Sequence, residues 1–244
     1  MDLENKVVLI TGGAVRLGRA ITLELSKRKA LICCHYHSST TEAKQLKQQI
    51  EEAGGHILLF RQDLSSVPQA ENLAERVLSQ TGRVDVLVNN AAIFFKTPFG
   101  QVSEADWDRL MEVNLKSVFF LSQKIGLQMK VRGAGKIVNI ADSGALHPFP
   151  SYLPYSISKA GIVTLTIGLA KALAPEVQVN CINPGPVMMP PNFLEAEKQF
   201  AINQTLLKRE GNAEDIARTV RFLIEDSDYI TGSCINVDGG RAVR

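Results

Sequence analysis

The sequence lacks the features that would send a chain to nucleic acid, to a membrane or to a disulfide scaffold. Lysine and arginine number 27 against 25 acidic residues, a formal charge of +2. Both signs are interleaved, so no net field draws the chain onto nucleic acid or a membrane surface. No uninterrupted apolar run reaches the roughly 18 residues that crossing a bilayer requires. The first residues, Met1-Asp2-Leu3-Glu4-Asn5-Lys6, carry acids and no apolar stretch behind a basic start. A secretory leader is therefore not expected, and the expected location is cytoplasmic. Cys33, Cys34, Cys181 and Cys234 form neither a C-x-x-C pair nor a ligand spacing, and read as reduced packing residues. The four histidines are dispersed, and no metal is assigned.

What is present is a long series of alternating segments. Short β-branched or apolar runs cover 6–11, 31–36, 56–60, 84–89, 136–141, 177–183 and 234–237. Between them lie stretches of helical length and periodicity at 17–29, 41–53, 69–81, 103–131 and 155–173. Such alternation predicts right-handed βαβ units. The fold class is α/β: a Rossmann-type doubly wound parallel sheet of about seven strands with helices on both faces. No repeat or linker interrupts 1–244, so a single domain is expected. A proline-rich segment, Pro184-Gly185-Pro186-Val187-Met188-Met189-Pro190-Pro191, opens a substrate loop at about 186–207, which reads either as an ordinary connection or as a lid. In such sheets, ligands bind beyond the carboxyl ends of the strands.

Directly after the first strand stands Thr11-Gly12-Gly13-Ala14-Val15-Arg16-Leu17-Gly18. Glycines there let the backbone approach a pyrophosphate, and the helix N-terminus that follows stabilises its charge. Arg16 replaces a glycine, and is either a solvated residue or a guanidinium that reaches phosphate or substrate. At the end of the second strand, Cys34-His35-Tyr36-His37-Ser38-Ser39-Thr40 has no acid. An acid there would bind the ribose 2′-hydroxyl and repel a 2′-phosphate, so its absence favours NADPH. Hydroxyls, backbone N–H groups and imidazoles remain to hold that phosphate.

Tyr155 and Lys159 share one face of a helix, one turn apart. An ammonium beside a phenol favours phenolate, which would bring a group of pKa near about 10 into range for acid-base work.

Taken with Asp63-Leu64, Asn89-Asn90-Ala91-Ala92, Asn114, Pro184-Gly185, Ile230-Thr231-Gly232-Ser233 and Asp238-Gly239-Gly240, these motifs occur in family order across nearly the whole chain. The sequence resembles the short-chain dehydrogenase/reductase family. The resemblance implies that Gly12, Leu17 and Gly18 frame the cofactor phosphates and that Asp63 and Leu64 lie by the adenine. It implies Asn90 and Ala91 at the ribose, and Pro184 and Gly185 at the nicotinamide end. Lys159 would bond the nicotinamide ribose while assisting Tyr155, and Asn114 would support a water-linked proton path. It also implies a homotetramer, which fits a helix at 155–173 that is apolar on most sides.

The chain departs from that pattern at one decisive place. Typical members carry serine thirteen residues before the tyrosine, and here that position is Asp142. An ionised carboxylate accepts hydrogen bonds but donates none, and would repel the oxyanion of a ketone under reduction. It suits a substrate with N–H groups or a ring nitrogen to be protonated. Two alternatives stand beside this: Ser143 takes the usual role if the chain slips by one residue, or Asp142 is a structural turn or cap residue. With Arg16, His35-Tyr36-His37-Ser38 and Phe94, which would stack a flat ring, the chain is most similar to the pteridine reductase branch. That branch often has arginine where Ser38 stands.

The expected activity is hydride transfer from NADPH to a C=N bond of a pterin or dihydrofolate. Tyr155, Lys159, Asp142 and Asn114 would be catalytic, and Arg16, Phe94, Asp142, Tyr155 and Pro186 would meet the substrate. Rival readings are a reductase of 3-oxoacyl thioesters or other ketones, and a non-catalytic NADPH-binding sensor or scaffold. Phe95, Trp107 and Phe149 read as packing residues or pocket wall.

Overall fold

A computed structural model describes residues 1–145, 147–190 and 193–243; Pro191 of the proline-rich segment lies outside them. Seven strands, β1 (Val7–Ile10), β2 (Leu31–Tyr36), β3 (His56–Arg61), β4 (Val86–Asn89), β5 (Gly135–Ile140), β6 (Val177–Pro184) and β7 (Cys234–Val237), form one sheet in the order β3-β2-β1-β4-β5-β6-β7. All paired neighbours run parallel.

The central strands β1, β4 and β5 are buried on both faces, as a sheet covered by helices must be. Alternation along β1 sends Val8 and Ile10 to one core and Val7 and Leu9 to the other. The first core is closed by α1 (Arg16–Ser26), α2 (Thr40–Glu52) and α8 (Ala213–Glu225). The second is closed by α3 (Val67–Thr81), α5 (Ser117–Arg132) and α6 (Leu153–Leu173). Strand order reverses between β1 and β4, and the crevice of an open sheet lies at that point.

Two elements differ from the sequence reading, and a third has a hydropathy that bears on the membrane expectation. The helix expected at 103–131 is α4 (Glu104–Met111) and α5, joined by a π-turn at Glu112–Lys116 that carries Asn114. Helix α8 was absent from the reading, although Ala213, Ile216, Ala217, Val220, Leu223 and Ile224 are its buried stripe. Pro150–Leu173, which includes α6, has the length and a mean hydropathy of 1.3 that would suffice to cross a membrane, despite the polar residues that interrupt it. Here it is a core helix: Lys159 and Thr166 are buried and bonded within the protein, and Leu169, Ala170 and Leu173 pack into the second core.

Candidate active site

The turn between β1 and α1 has a shape that only glycine permits at two positions. Gly12 adopts φ +62°, and a Cβ on Gly18 would lie 2.0 Å from the carbonyl oxygen of Gly12. Val15 precedes α1 without a side-chain cap, so the first-turn amides have no side-chain acceptor from that position. That donor set fits an anionic pyrophosphate. Asn90 ties the end of β4 to this turn, its Nδ2 donating to the carbonyls of Thr11 at 3.0 Å and Gly12 at 3.1 Å. The Thr11 hydroxyl accepts from the amides of Asn90 and Ala91 at 2.9 and 3.0 Å. Leu17 is half-buried against the first core.

At the end of β2 the structure corrects one expectation. His35 is buried; its Nδ1 accepts from the Gly12 amide at 3.1 Å and its Nε2 donates to the Gln62 carbonyl at 3.0 Å. Burial pushes its pKa down to about 4, so the ring is neutral and has no free nitrogen for a phosphate. Its role is to brace the glycine-rich turn. Tyr36 packs against the first core, whereas His37 and Ser38 are exposed. The pairing of Tyr36 with Arg61 sets a guanidinium beside this corner, where Arg61 Nε donates to the His37 carbonyl at 3.2 Å. Sequence reasoning missed Arg61, because that adjacency arises only from strand register. Asp63 accepts from the Ser65 amide and hydroxyl at 3.0 and 2.8 Å, and Leu64 is buried in the second core.

The reacting groups gather where β5 gives way to α6. Tyr155 Oη donates to Asp142 Oδ2 at 2.8 Å, and Asp142 Oδ1 accepts from the Gly144 amide at 2.5 Å. Asp142 therefore faces the tyrosine. Ser143 is fully buried, and its hydroxyl has no hydrogen-bond partner among the described residues. Lys159 is buried, donates to the Ile140 carbonyl at 2.8 Å, and lies 6.0 Å from the centroid of the Tyr155 ring.

The electrostatics reverse the simple expectation for the phenol. Burial, and then the charge and hydrogen bond of Asp142, raise the Tyr155 pKa well above its ordinary value. Burial lowers that of Lys159 despite the attraction of Asp142. As arranged, the phenol holds its proton. Asn114 is fixed from three sides: it accepts from the Ile93 amide at 2.8 Å and donates to the Ile93 carbonyl at 3.0 Å and to Ser158 Oγ at 3.2 Å.

Above these groups lies an aromatic wall. Phe94 stacks on Tyr152, with centroids 4.7 Å apart and planes at 9°, and stands edge-on to Tyr155 at 4.8 Å. Its ring is 40% exposed, so it is not a core residue. The segment after β6 completes the rim. Pro184 is buried at the end of β6, and the Gly185 amide donates to the Val237 carbonyl at 3.0 Å. A Cβ on Gly185 would meet the Asp238 Cα at 2.5 Å. Pro186 is buried, its carbonyl accepting from the Gly211 amide at 3.1 Å, and it lines a cavity together with Gly185, Val187, Leu206 and Asp238.

Exposed Arg16 has φ +49° and donates to the Met188 carbonyl, which joins the glycine-rich turn to the substrate loop. Helix α7 (Glu195–Asn203) is held by the Lys96–Glu197 ion pair at 2.5 Å and by Phe200, 6.0 Å from the ring of Phe149. Phe149 also carries the Arg241 guanidinium at 5.0 Å, Phe95 lies 5.7 Å from that of Arg109, and Trp107 is exposed. No group of three or more metal-ligating side chains occurs among the described residues.

A family model described as enoyl-(acyl carrier protein) reductase matches residues 13–242. The chain is 33% identical to the 3-oxoacyl-(acyl-carrier-protein) reductase FabG of Thermotoga maritima, covering 100% of both chains. A short-chain dehydrogenase/reductase from Serratia marcescens superposes with a TM-score of 0.93 at 32% identity, covering 99% of this chain and 100% of the other. FolM alternative dihydrofolate reductase 1 from Brucella canis, complexed with NADP, superposes with a TM-score of 0.92 at 30% identity, covering 100% and 96%. The chain belongs to the short-chain dehydrogenase/reductase family of NAD(P)-dependent oxidoreductases.

Proposed function

We propose that this protein is an NADPH-dependent reductase of a C=N bond in a dihydropterin or dihydrofolate. The observation that carries the reading is the carboxylate of Asp142, 2.8 Å from the Tyr155 hydroxyl, where a hydroxyl donor would serve a ketone. A carboxylate offers acceptors to the N–H and amino groups of a pterin ring, and it penalises a developing oxyanion. The relation to FolM, a dihydrofolate reductase by name, points the same way.

NADPH, when bound, supplies the hydride. Gly12, Gly18 and the first-turn amides of α1 would hold its phosphates, with Leu17 beside them. Asp63 and Leu64 would lie by the adenine, and Asn90 and Ala91 by the ribose. His37, Ser38 and the missed Arg61 would receive the 2′-phosphate, a role for which a guanidinium is well shaped. Pro184 and Gly185 would border the nicotinamide, and Phe94 would cover a flat ring. Tyr155 holds its proton for a ring nitrogen until negative charge develops there. Lys159 stabilises the phenolate left behind, and Asn114 orients the route by which the proton is replaced.

The likeness to FabG supports a second reading, reduction of 3-oxoacyl thioesters. That reading would need a hydroxyl donor, and Ser143 is fully buried while the Tyr155 hydroxyl bonds Asp142. A pure sensor or scaffold would need neither Tyr155 nor Lys159. Exposed Trp107, Phe119, Leu127, Val131, Ile157 and Ile167 on α4, α5 and α6 support assembly into a homotetramer.

The test is NADPH oxidation by the purified protein with dihydrobiopterin, dihydrofolate and a 3-oxoacyl thioester side by side. Pterin or folate turnover is expected, falling roughly 10²-fold or more in Tyr155→Phe while NADPH still binds. Asp142→Ser should depress pterin turnover far more than thioester turnover. Turnover of the thioester alone, or equal losses in Asp142→Ser, would overturn the reading.

A further inference from the structure

Two thiols that the proposed chemistry does not use lie side by side beneath α6. Cys181 of β6 faces the cluster formed by Val118, Ala141 and Ile162, and Cys234 of β7 packs against the same cluster. The two are register partners on adjacent strands, and both side chains lie in the same small cluster. Neighbouring strands lie about 4.8 Å apart, within the Cα separation of about 4.4–6.8 Å that a disulfide spans. Cys33 and Cys34 are consecutive in β2 and point into opposite cores, so they cannot pair with each other. Exposure differs as well: Cys181 is fully buried, and Cys234 is only half-buried.

We infer that Cys181 and Cys234 are a reversible redox site, which a hydroperoxide oxidises to a disulfide that lowers turnover. Cys234, the reachable sulfur, attacks the peroxide; the O–O bond breaks, hydroxide or alkoxide leaves, and Cys234 becomes a sulfenic acid. The sulfur of Cys181 then attacks that of Cys234. The S–O bond breaks, and the oxygen departs as water with the proton of Cys181. Overall the two thiols give up two electrons and two protons, and the peroxide takes them as two molecules of water, or one of alcohol and one of water. A reducing dithiol reverses the step by thiol–disulfide exchange.

The link from this pair to the reacting groups is short. Ile182, next to Cys181, pairs with Ile140, and its carbonyl accepts from the Ala141 amide at 2.9 Å. The Ile140 carbonyl in turn holds Lys159 at 2.8 Å. A relaxed disulfide holds its Cβ atoms at about 3.8 Å, closer than neighbouring strands lie at about 4.8 Å, so closure draws β6 toward β7. The same strain keeps the bond easy to reduce. Displacement of the lysine by a fraction of an ångström lowers turnover more than it lowers cofactor affinity.

Treatment of the reduced full-length chain with hydrogen peroxide tests this. Thiols titrated after denaturation should fall from four to two, and digestion should yield a linked peptide pair containing Cys181 and Cys234. NADPH oxidation, with whichever compound of the substrate panel is turned over, should fall roughly tenfold and return with dithiothreitol. Cys234→Ser and Cys234→Val should each keep three thiols and resist inactivation. Four thiols after oxidation, a link through Cys33 or Cys34, full activity in the linked protein, or equal inactivation of both variants would overturn the inference. The peptide map reads independently of the substrate, so failure of the pterin reading would leave this result distinct.

Discussion

At the scale of single residues, His35 shows how a side chain expected at a ligand can serve the backbone instead. Its ring accepts the Gly12 amide and donates to Gln62, and it stays neutral with a pKa lowered to about 4 from 6.5. Between those values the unfolded chain binds a proton that the folded chain refuses, so folding stability falls as pH drops through that window and is whole above it. The loss at the acid end should reach on the order of 3 kcal/mol. Urea unfolding at about pH 7 and about pH 4.5 measures it, and His35→Gln should flatten the slope. An unchanged slope in that variant would assign the acid sensitivity elsewhere. Asp142 was legible because a fixed spacing from Tyr155 marks its place and chemistry makes it unusual. The burial of His35 was not legible, since its partners, the Gly12 amide and the Gln62 carbonyl, reach the ring only once the neighbouring loops have folded around the end of β2.

Among the elements, the turn into α1 carries the tightest steric demand. A methyl group on Gly18 would overlap the Gly12 carbonyl at 2.0 Å, and backbone cannot rotate away as a side chain can. Gly18→Ala should therefore cost about 1–3 kcal/mol and weaken NADPH binding in the same protein. Thermal unfolding and a cofactor titration check both; a variant with unaltered affinity would remove this turn from the cofactor site. The strands were readable to within about two residues, because buried parallel strands appear as β-branched runs between breakers. Helix α8 was overlooked although its signals are local: Asn212, with Asp215 three residues on accepting from the Asn212 amide at 3.2 Å, precedes a regular apolar stripe. The π-turn at Glu112–Lys116 had no such signal, since a single wide turn inside a long helical stretch carries no capping or breaking residue to mark it.

For the whole molecule, the outer faces of α5 and α6 leave Phe119, Leu127, Val131, Ile157 and Ile167 in water in one copy of the chain. Light scattering should find a tetramer, and Ile167→Glu should shift it to smaller species; a monomeric parent protein would refute the assembly. The order of strands has a further consequence for how the protein comes into being. The glycine-rich turn and its brace draw on residues within the first 91 of the chain, whereas Gly185 is pressed against Asp238 and held by Val237. During synthesis the nucleotide half can take shape early, but the rim where reduction would occur stays open until the final strand has left the ribosome. A polypeptide cut short before β7 should thus keep the groups proposed for the adenine end of a dinucleotide while its nicotinamide rim lacks the support that Val237 and Asp238 give to Gly185.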